Sequence, residues 1–439
     1  MNFRTRELQA KMIYSFFYRM KKHLFNLSPM TWILLGFFIT FIWFFIGPIL
    51  FNPSMEMKFN EYIPTMSPIG HDFFDMGNAT SAWIHTGNLP AILYPSLTLI
   101  FFVPFLLFSY TVGYKIIVAI IIACYLLITF AIPRWINKSK DLSAFAMLIF
   151  ITGIVSYGFQ FELERGQWNI ITFAFTVTAI YLFHNQPKYR WLSYLLFTIS
   201  IQLKLYPAIF IFCFIEDWSD WRENIKRILG LGIVNILTML VFGLGPVLTT
   251  ITSLSEIRSS HTGSSINLSI TSFTLYILSS GILPRKRIFL WLMDNNWFPQ
   301  LLLYIFFGFC FLVILWQAYK KNSKGINPHV FLACTIGACV VPSISFDYKL
   351  SLLPASILIS TPAIFFSNNK NGSLIKLLAF IFSIAYSSTL YSYANKPPIL
   401  QNNFPALLIM VTIYAIFSFM DSHTEKELIP DATEAESGV

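Results

Sequence analysis

LPAILYPSLTLIFFVPFLLFSY, residues Leu89–Tyr110, is apolar enough to cross a bilayer, yet Pro95 and Pro104 lie inside it. Each proline removes a backbone N–H and kinks a helix. If the stretch crosses, the loop Pro133–Asp141, with Arg134, Lys138 and Lys140, falls on the non-cytoplasmic side, and several later loops are inverted with it. If it lies along the interface or re-enters, Lys and Arg gather in the cytoplasmic loops, as the positive-inside bias requires. The second reading fits the charges, and it sets the side of everything downstream.

Around this stretch the chain is almost continuously apolar. Of 439 residues, 56% are hydrophobic and 12% charged, with 46 Phe and a mean hydropathy of +0.63. A soluble domain could not cover that much apolar surface, and runs such as Thr31–Phe51, Ile116–Ile132 and Phe404–Met420 have membrane-crossing length. The expected fold is therefore an all-α polytopic integral membrane protein with about 12 transmembrane helices. Residues 1–30 (Arg4, Arg6, Lys11, Arg19, Lys21, Lys22) form a cytoplasmic tail, 31–420 a single transmembrane domain, and 421–439 a disordered acidic tail, also cytoplasmic. After the first span come crossings at about 114–132, 143–160, 169–184, 190–203, 205–217, 227–249, 299–318, 328–345, 350–367, 374–394 and 404–420. The outer loops are then 52–113, 161–168, 250–298 and 345–350. No repeat or glycine-rich phosphate loop is apparent. The net charge of +9 reads as loop charge in a membrane protein, with no nucleic-acid partner. Five cysteines inside apolar runs have no paired ligand spacing. No cofactor or structural metal is expected, though a divalent cation between Asp72 and Glu162 or Glu164 stays an open alternative.

Four polar islands interrupt the apolar chain: Gly70–Asp75, Glu162–Asn169, Gln202–Pro207 and Ser345–Lys349. Ionisable groups among apolar spans need water, a partner or a substrate. On the topology above all four reach the outer face, where the long loop adds Arg258, His261 and Asn267. Carboxylates with Lys, Arg and His beside a membrane suit an anionic lipid-linked substrate: the cations neutralise phosphate, and a carboxylate takes a proton from an attacking hydroxyl.

The residues then resemble a known group. Asp72-Phe73, Trp83-Ile84-His85-Thr86-Gly87, Tyr94-Pro95 and Val103-Pro104-Phe105 resemble the first outer loop of polyprenyl-phosphate-sugar-dependent glycosyltransferases of the GT-C fold. More narrowly, the chain looks like bacterial glycosyltransferase family 87: Gly166-Gln167-Trp168-Asn169 matches its Gly-Gln-x-Asn signature and Lys204-Leu205-Tyr206-Pro207 its Lys-x-x-Pro signature. The segment Pro342–Tyr348 resembles a later Pro-x-x-Ser-Trp element, with Phe346 where Trp is common and Tyr348 where His is common. The resemblance implies interfacial helices after the catalytic Asp, a polyprenyl-phosphate-hexose donor and inverting single displacement. It also implies Asp72 as base, Lys204 at the donor phosphate, and Gln167 and Asn169 lining the site.

Other candidate substrate-binding residues are Glu164, Arg165, Arg258, His261, Asn267, Asp347 and Lys349. Each has a plainer reading. Asp75 competes with Asp72 as base, and Lys204 can snorkel to the interface. Glu162, Glu164 and Arg165 can pair at a helix end, Asp347 can pair with Lys349, and Arg258 with His261 can belong to a solvated loop. The expected partners are a polyprenyl-phosphate-linked sugar, a glycan or lipid-linked acceptor, and membrane lipid. The expected place is a bacterial inner membrane with the site facing the periplasm. A composition rich in Phe, Ile and Lys resembles that of O-antigen-modifying glucosyltransferases. A flippase would instead carry ionisable groups at mid-membrane depth and paired broken helices. An O-antigen polymerase should lack the Asp72, Gln167, Asn169 and Lys204 pattern.

Overall fold

The structure, a computed structural model, describes residues 28–41, 66–90, 92–136, 140–261, 266–280, 287–322, 325–364, 372–387 and 402–427. It is a helical membrane protein. Among the described residues there is no β-strand, and only an isolated bridge joins Asn267 to Phe346.

In chain order the helices are α1 (Pro29–Phe41), α2 (His71–Thr86), α3 (Thr98–Phe102), α4 (Tyr110–Leu126), α5 (Lys140–Ile154), α6 (Tyr157–Arg165), α7 (Asn169–Asn185) and α8 (Arg190–Leu203). Then follow α9 (Trp221–Met239), α10 (Leu244–His261), α11 (Ile270–Ser279), α12 (Arg287–Asp294), α13 (Trp297–Lys321) and α14 (Pro328–Val340). The last three are α15 (Leu353–Ile364), α16 (Gly372–Ser387) and α17 (Phe404–Glu427). Past Leu126, α4 continues through a π-helical turn, Leu127–Ala131, into Ile132–Ile136. Pro133 has no N–H for the Thr129 carbonyl, and the helix widens just before it.

Leu89–Tyr110 forms no crossing helix. The five-residue α3 is followed by a 3-10 helix, Val103–Leu107, and by extended Phe108. Pro104 sits in the first turn of the 3-10 helix, where a missing N–H costs nothing.

The expected set of about 12 spans is not confirmed by the described residues. Three helices there are long and apolar enough to cross, Tyr110–Ile136, Trp221–Phe242 and Trp297–Lys321; α5 and α6 add a fourth if their 54° bend belongs to one broken span. The segment expected to cross at 205–217 is a nine-residue 3-10 helix, Tyr206–Phe214. At ~2.0 Å per residue it reaches about 18 Å, short of a ~30 Å hydrocarbon core. Hydropathy counts apolar residues whatever buries them, and here protein does: every residue of α14 from Val330 to Val340 is buried. By contrast α9 exposes Leu229, Ile233, Ile236 and Leu237, and α13 exposes Leu302, Ile305, Phe309 and Leu312, the faces a bilayer would cover.

Helix α7 is mostly buried and packs against α4, α8 and the 3-10 helices Tyr206–Phe214 and Asp347–Leu352. It starts at Asn169, the last residue of the Gly-Gln-x-Asn turn, so that turn is fixed by a well-buried helix.

Candidate active site

The site is assembled where the start of α2 meets the end of α6. α6 stops in a Schellman turn: Gly166 has φ +64°, its N–H donates to the Leu163 carbonyl (3.0 Å), and Gln167 N–H donates to the Glu162 carbonyl (3.1 Å). Gly166 is also required sterically, because a Cβ there would lie 2.8 Å from Phe73 Cβ. Opposite it, Gly70 caps α2 at φ +79°, donates its N–H to the Glu164 carbonyl (2.6 Å), and leaves no room for a Cβ beside the Tyr114 ring (2.5 Å). Phe73 seals the junction against Phe102, Phe105 and Tyr110, with centroids 5.3, 5.5 and 6.1 Å away, and Phe102 in turn packs on Trp168 at 4.8 Å.

This junction sets Asp72 in the first turn of α2, where the helix dipole favours a carboxylate. Gln167 Nε2 donates to Asp72 Oδ2, and Arg165 Nη1 lies 4.0 Å from Oδ1. Burial raises the Asp72 pKa above its ordinary value; Arg165, the Gln167 hydrogen bond, Lys204 and His71 oppose that rise. The side chain still has 28% of its surface accessible, against 12% for Arg165. A carboxylate of raised basicity that a second molecule can reach is what general-base work requires.

Behind Asp72 the polar groups are fully enclosed. Lys204 Nζ donates to Gln167 Oε1 (2.5 Å) and Asn169 Oδ1 (2.9 Å), and it faces the rings of Tyr94 (5.1 Å) and Tyr348 (5.4 Å). Burial lowers its pKa to about 8, with Glu162 and then Asp72 holding it up. Asn169 Nδ2 donates to Glu162 Oε2 (2.8 Å), and the Ile170 N–H donates to Glu162 Oε1 (3.0 Å). Tyr94 and Tyr206 complete the shell through the Gln167 side chain and the Asn169 carbonyl.

The other candidates divide. Glu164 and Arg165 pair (3.1 Å), but Glu164 Oε1 also accepts the Met66 N–H (2.7 Å), which ties down the approach to α2. Asp75 pairs with His71 one turn along (3.4 Å) and is largely exposed. Asn267 is a clamp: its Oδ1 accepts from the Ser269 and Ser345 N–H groups and its carbonyl from Asn402, which locks 266–269 to 345–347. Asp347 and Lys349 form no ion pair with each other. They flank Tyr348 on a 3-10 helix, Asp347–Leu352, whose ~120° per residue sends successive side chains apart. Tyr348 therefore faces Lys204, whereas Asp347 is buried towards Tyr157, and Lys349 donates to the Ala338 carbonyl (3.1 Å) beneath the Tyr206 ring. The side chains of Arg258 and His261 lie outside the described residues.

Sequence reading omitted three participants. Tyr94 carried a signal, since Tyr94-Pro95 belongs to the pattern quoted above, and Tyr348 was noted only as a departure from it. Glu162 looked like one acid among several at a helix end. No group of three His, Cys, Asp or Glu that could hold a metal ion occurs among the described residues. Both Glu162 oxygens are taken by Asn169 and Ile170.

The model of glycosyltransferase family 87 matches residues 92–345, more than half of the chain. The protein belongs to glycosyltransferase family 87. No curated protein matches it. The family match takes in Gln167, Asn169, Lys204 and Tyr94 but begins after Asp72. The place of Asp72 in this glycosyltransferase therefore rests on its contact with Gln167 and Arg165.

Proposed function

We propose that this glycosyltransferase transfers a hexose, glucose or mannose, from a polyprenyl-phosphate donor to a glycan or glycolipid acceptor at the periplasmic face of a bacterial inner membrane, with inversion, and that it modifies O-antigen. The observation that carries the reading is Asp72, an accessible carboxylate held by Gln167, its basicity raised by burial against the opposing pull of Arg165. Asp72 removes the proton from the acceptor hydroxyl as that oxygen attacks the anomeric carbon from the face opposite the phosphate. The anomeric C–O bond breaks, and the electron pair leaves with the polyprenyl phosphate. Arg165, 4.0 Å from Asp72 and held by Glu164, adds positive charge beside the reacting atoms.

An apolar groove supports a lipid-linked donor. It lies between α8 and α9, beneath α3, holds about 810 Å³, and is lined by Leu97, Phe101, Leu195, Thr198, Leu231 and Val234 among others. Glu223, Lys226 and Arg227 also line it, and Leu97 and Gln202 on its wall are three and two residues from Tyr94 and Lys204.

The test is a transfer assay on the purified chain with polyprenyl-phosphate-glucose and polyprenyl-phosphate-mannose, comparing wild type with Asp72→Asn. Loss of turnover with donor binding retained is the expected result. Full activity in the variant sinks the base assignment, and translocation of the donor without transfer to any acceptor sinks the transferase reading.

A further inference from the structure

Lys204 is shielded in a way that a phosphate ligand would not be. An ammonium has three donors. Two of them are spent on the Gln167 and Asn169 amide oxygens, aromatic rings stand on two sides, and the residue is 7% exposed. The two amides are then bound at their other ends, Gln167 Nε2 to Asp72 and Asn169 Nδ2 to Glu162. The order is carboxylate, amide, ammonium, amide, carboxylate, with the lysine at the centre.

The direction of these bonds is fixed by chemistry. A lysine cannot accept, so both amide oxygens must face it, and both NH₂ groups must face outward to a carboxylate. With a neutral residue at 204, Gln167 loses the donor that holds its oxygen end, and only the bond to Asp72 then keeps the amide in place. Glu162 closes the far end. It holds Asn169 and the first turn of α7, and it supplies the counter-charge without which a buried ammonium is costly.

We infer that Lys204 and Glu162 are positioning residues, which lock Gln167 in the one amide orientation that aims its N–H at Asp72. The inference rests on Asp72 being the base. It assigns Lys204 a role other than the phosphate contact that the family resemblance implies, and it gives Glu162 a role other than the helix-end ion pair or cation ligand that the sequence offered.

The experiment measures kcat, donor KM and the pH profile of the full chain for Lys204→Met and for the doubly neutral Glu162→Gln/Lys204→Met. The second variant leaves neither buried charge alone, so it folds even if the first does not. The groups facing Lys204 are Glu162, Asp72, Tyr94, Tyr348 and, from the 3-10 helix, Lys349; those facing Asp72 are Arg165, His71, Lys204, Glu164, Tyr94 and Tyr348. Both variants should lose about 10²-fold in kcat, the scale of a misplaced reacting group. Their acid limb should move to higher pH, because Asp72 loses a cation and an oriented donor, and donor KM should stay within about threefold of wild type. A tenfold or greater rise in donor KM at unchanged kcat would make Lys204 the phosphate ligand and overturn the inference. So would a double variant with the wild-type kcat and pH profile. An active Asp72→Asn variant removes the base reading itself, whereas an inactive one beside an unshifted double variant removes only the positioning role.

Discussion

Two buried carboxylate–lysine neighbourhoods lie within one molecule, and they are built on opposite lines. Around Asp72 and Lys204 the charges are linked through Gln167 and Asn169, and one end of the chain of bonds, Asp72, reaches an accessible surface. Around Asp347 and Lys349 the charges are closer in sequence but separate in space, each with its own partner and neither linked to Asp72. Asp347 Oδ1 has no hydrogen-bond partner. Burial alone therefore does not mark a reactive site here; access and a continuous set of bonds do.

The contrast is broken most decisively at the carboxylates. Asp72→Asn should cost turnover by about 10²–10⁴-fold, the usual worth of a general base, with little change in Tm. Asp347→Asn should hold or raise Tm, since it removes a buried carboxylate with an unpaired oxygen, and it should keep most of the turnover. Equal losses at both positions would erase the distinction. Next in size is the corner that carries the linked set. Gly166→Ala imposes a positive φ on alanine and a clash with Phe73; a loss of about 1–3 kcal/mol in denaturant unfolding is expected, with turnover falling because Gln167 and Asn169 move with the turn.

A pH profile sharpens the comparison further. Asp72 acts as a base when ionised, so activity should rise with pH through an acid limb placed above the ordinary aspartate value. Arg165→Met removes the largest influence holding that pKa down, so the limb should move to still higher pH. A shift the other way would contradict the electrostatic account. The smallest effect belongs to His71→Ala. It removes a partly solvated pair with Asp75, worth at most about 1 kcal/mol, and should leave turnover within about twofold.

Much of this site could be read before folding. Asp72, Gln167, Asn169 and Lys204 come from three separate polar islands, and the need to satisfy ionisable groups in an apolar chain pointed to their meeting. Direction within the site was not legible. Asp347 and Lys349 looked like members because they share an island, but a 3-10 helix turns adjacent side chains about 120° apart, and Tyr348 faces inward instead. Glu162 and Glu164 are two residues apart on α6 and look alike in sequence; only the Schellman turn makes the first a partner of Asn169 and the second a tie to Met66. The expected number of spans, about 12, is not confirmed by the three or four among the described residues that meet the length and hydropathy of a crossing. Apolar runs such as 205–217 and α14 are packed against protein, and hydropathy does not distinguish that burial from lipid.

The closed shell around Lys204 has a consequence for how the protein meets its medium. At ~0.15 M salt, screening acts over about 8 Å and works on charges that water reaches. The His71–Asp75 pair is open to it, while the ammonium of Lys204 is walled by two amides and two aromatic rings. Chloride and inorganic phosphate are thus held off the central ammonium of the cluster, which should keep its charge pairing through changes in ionic strength that would loosen the surface.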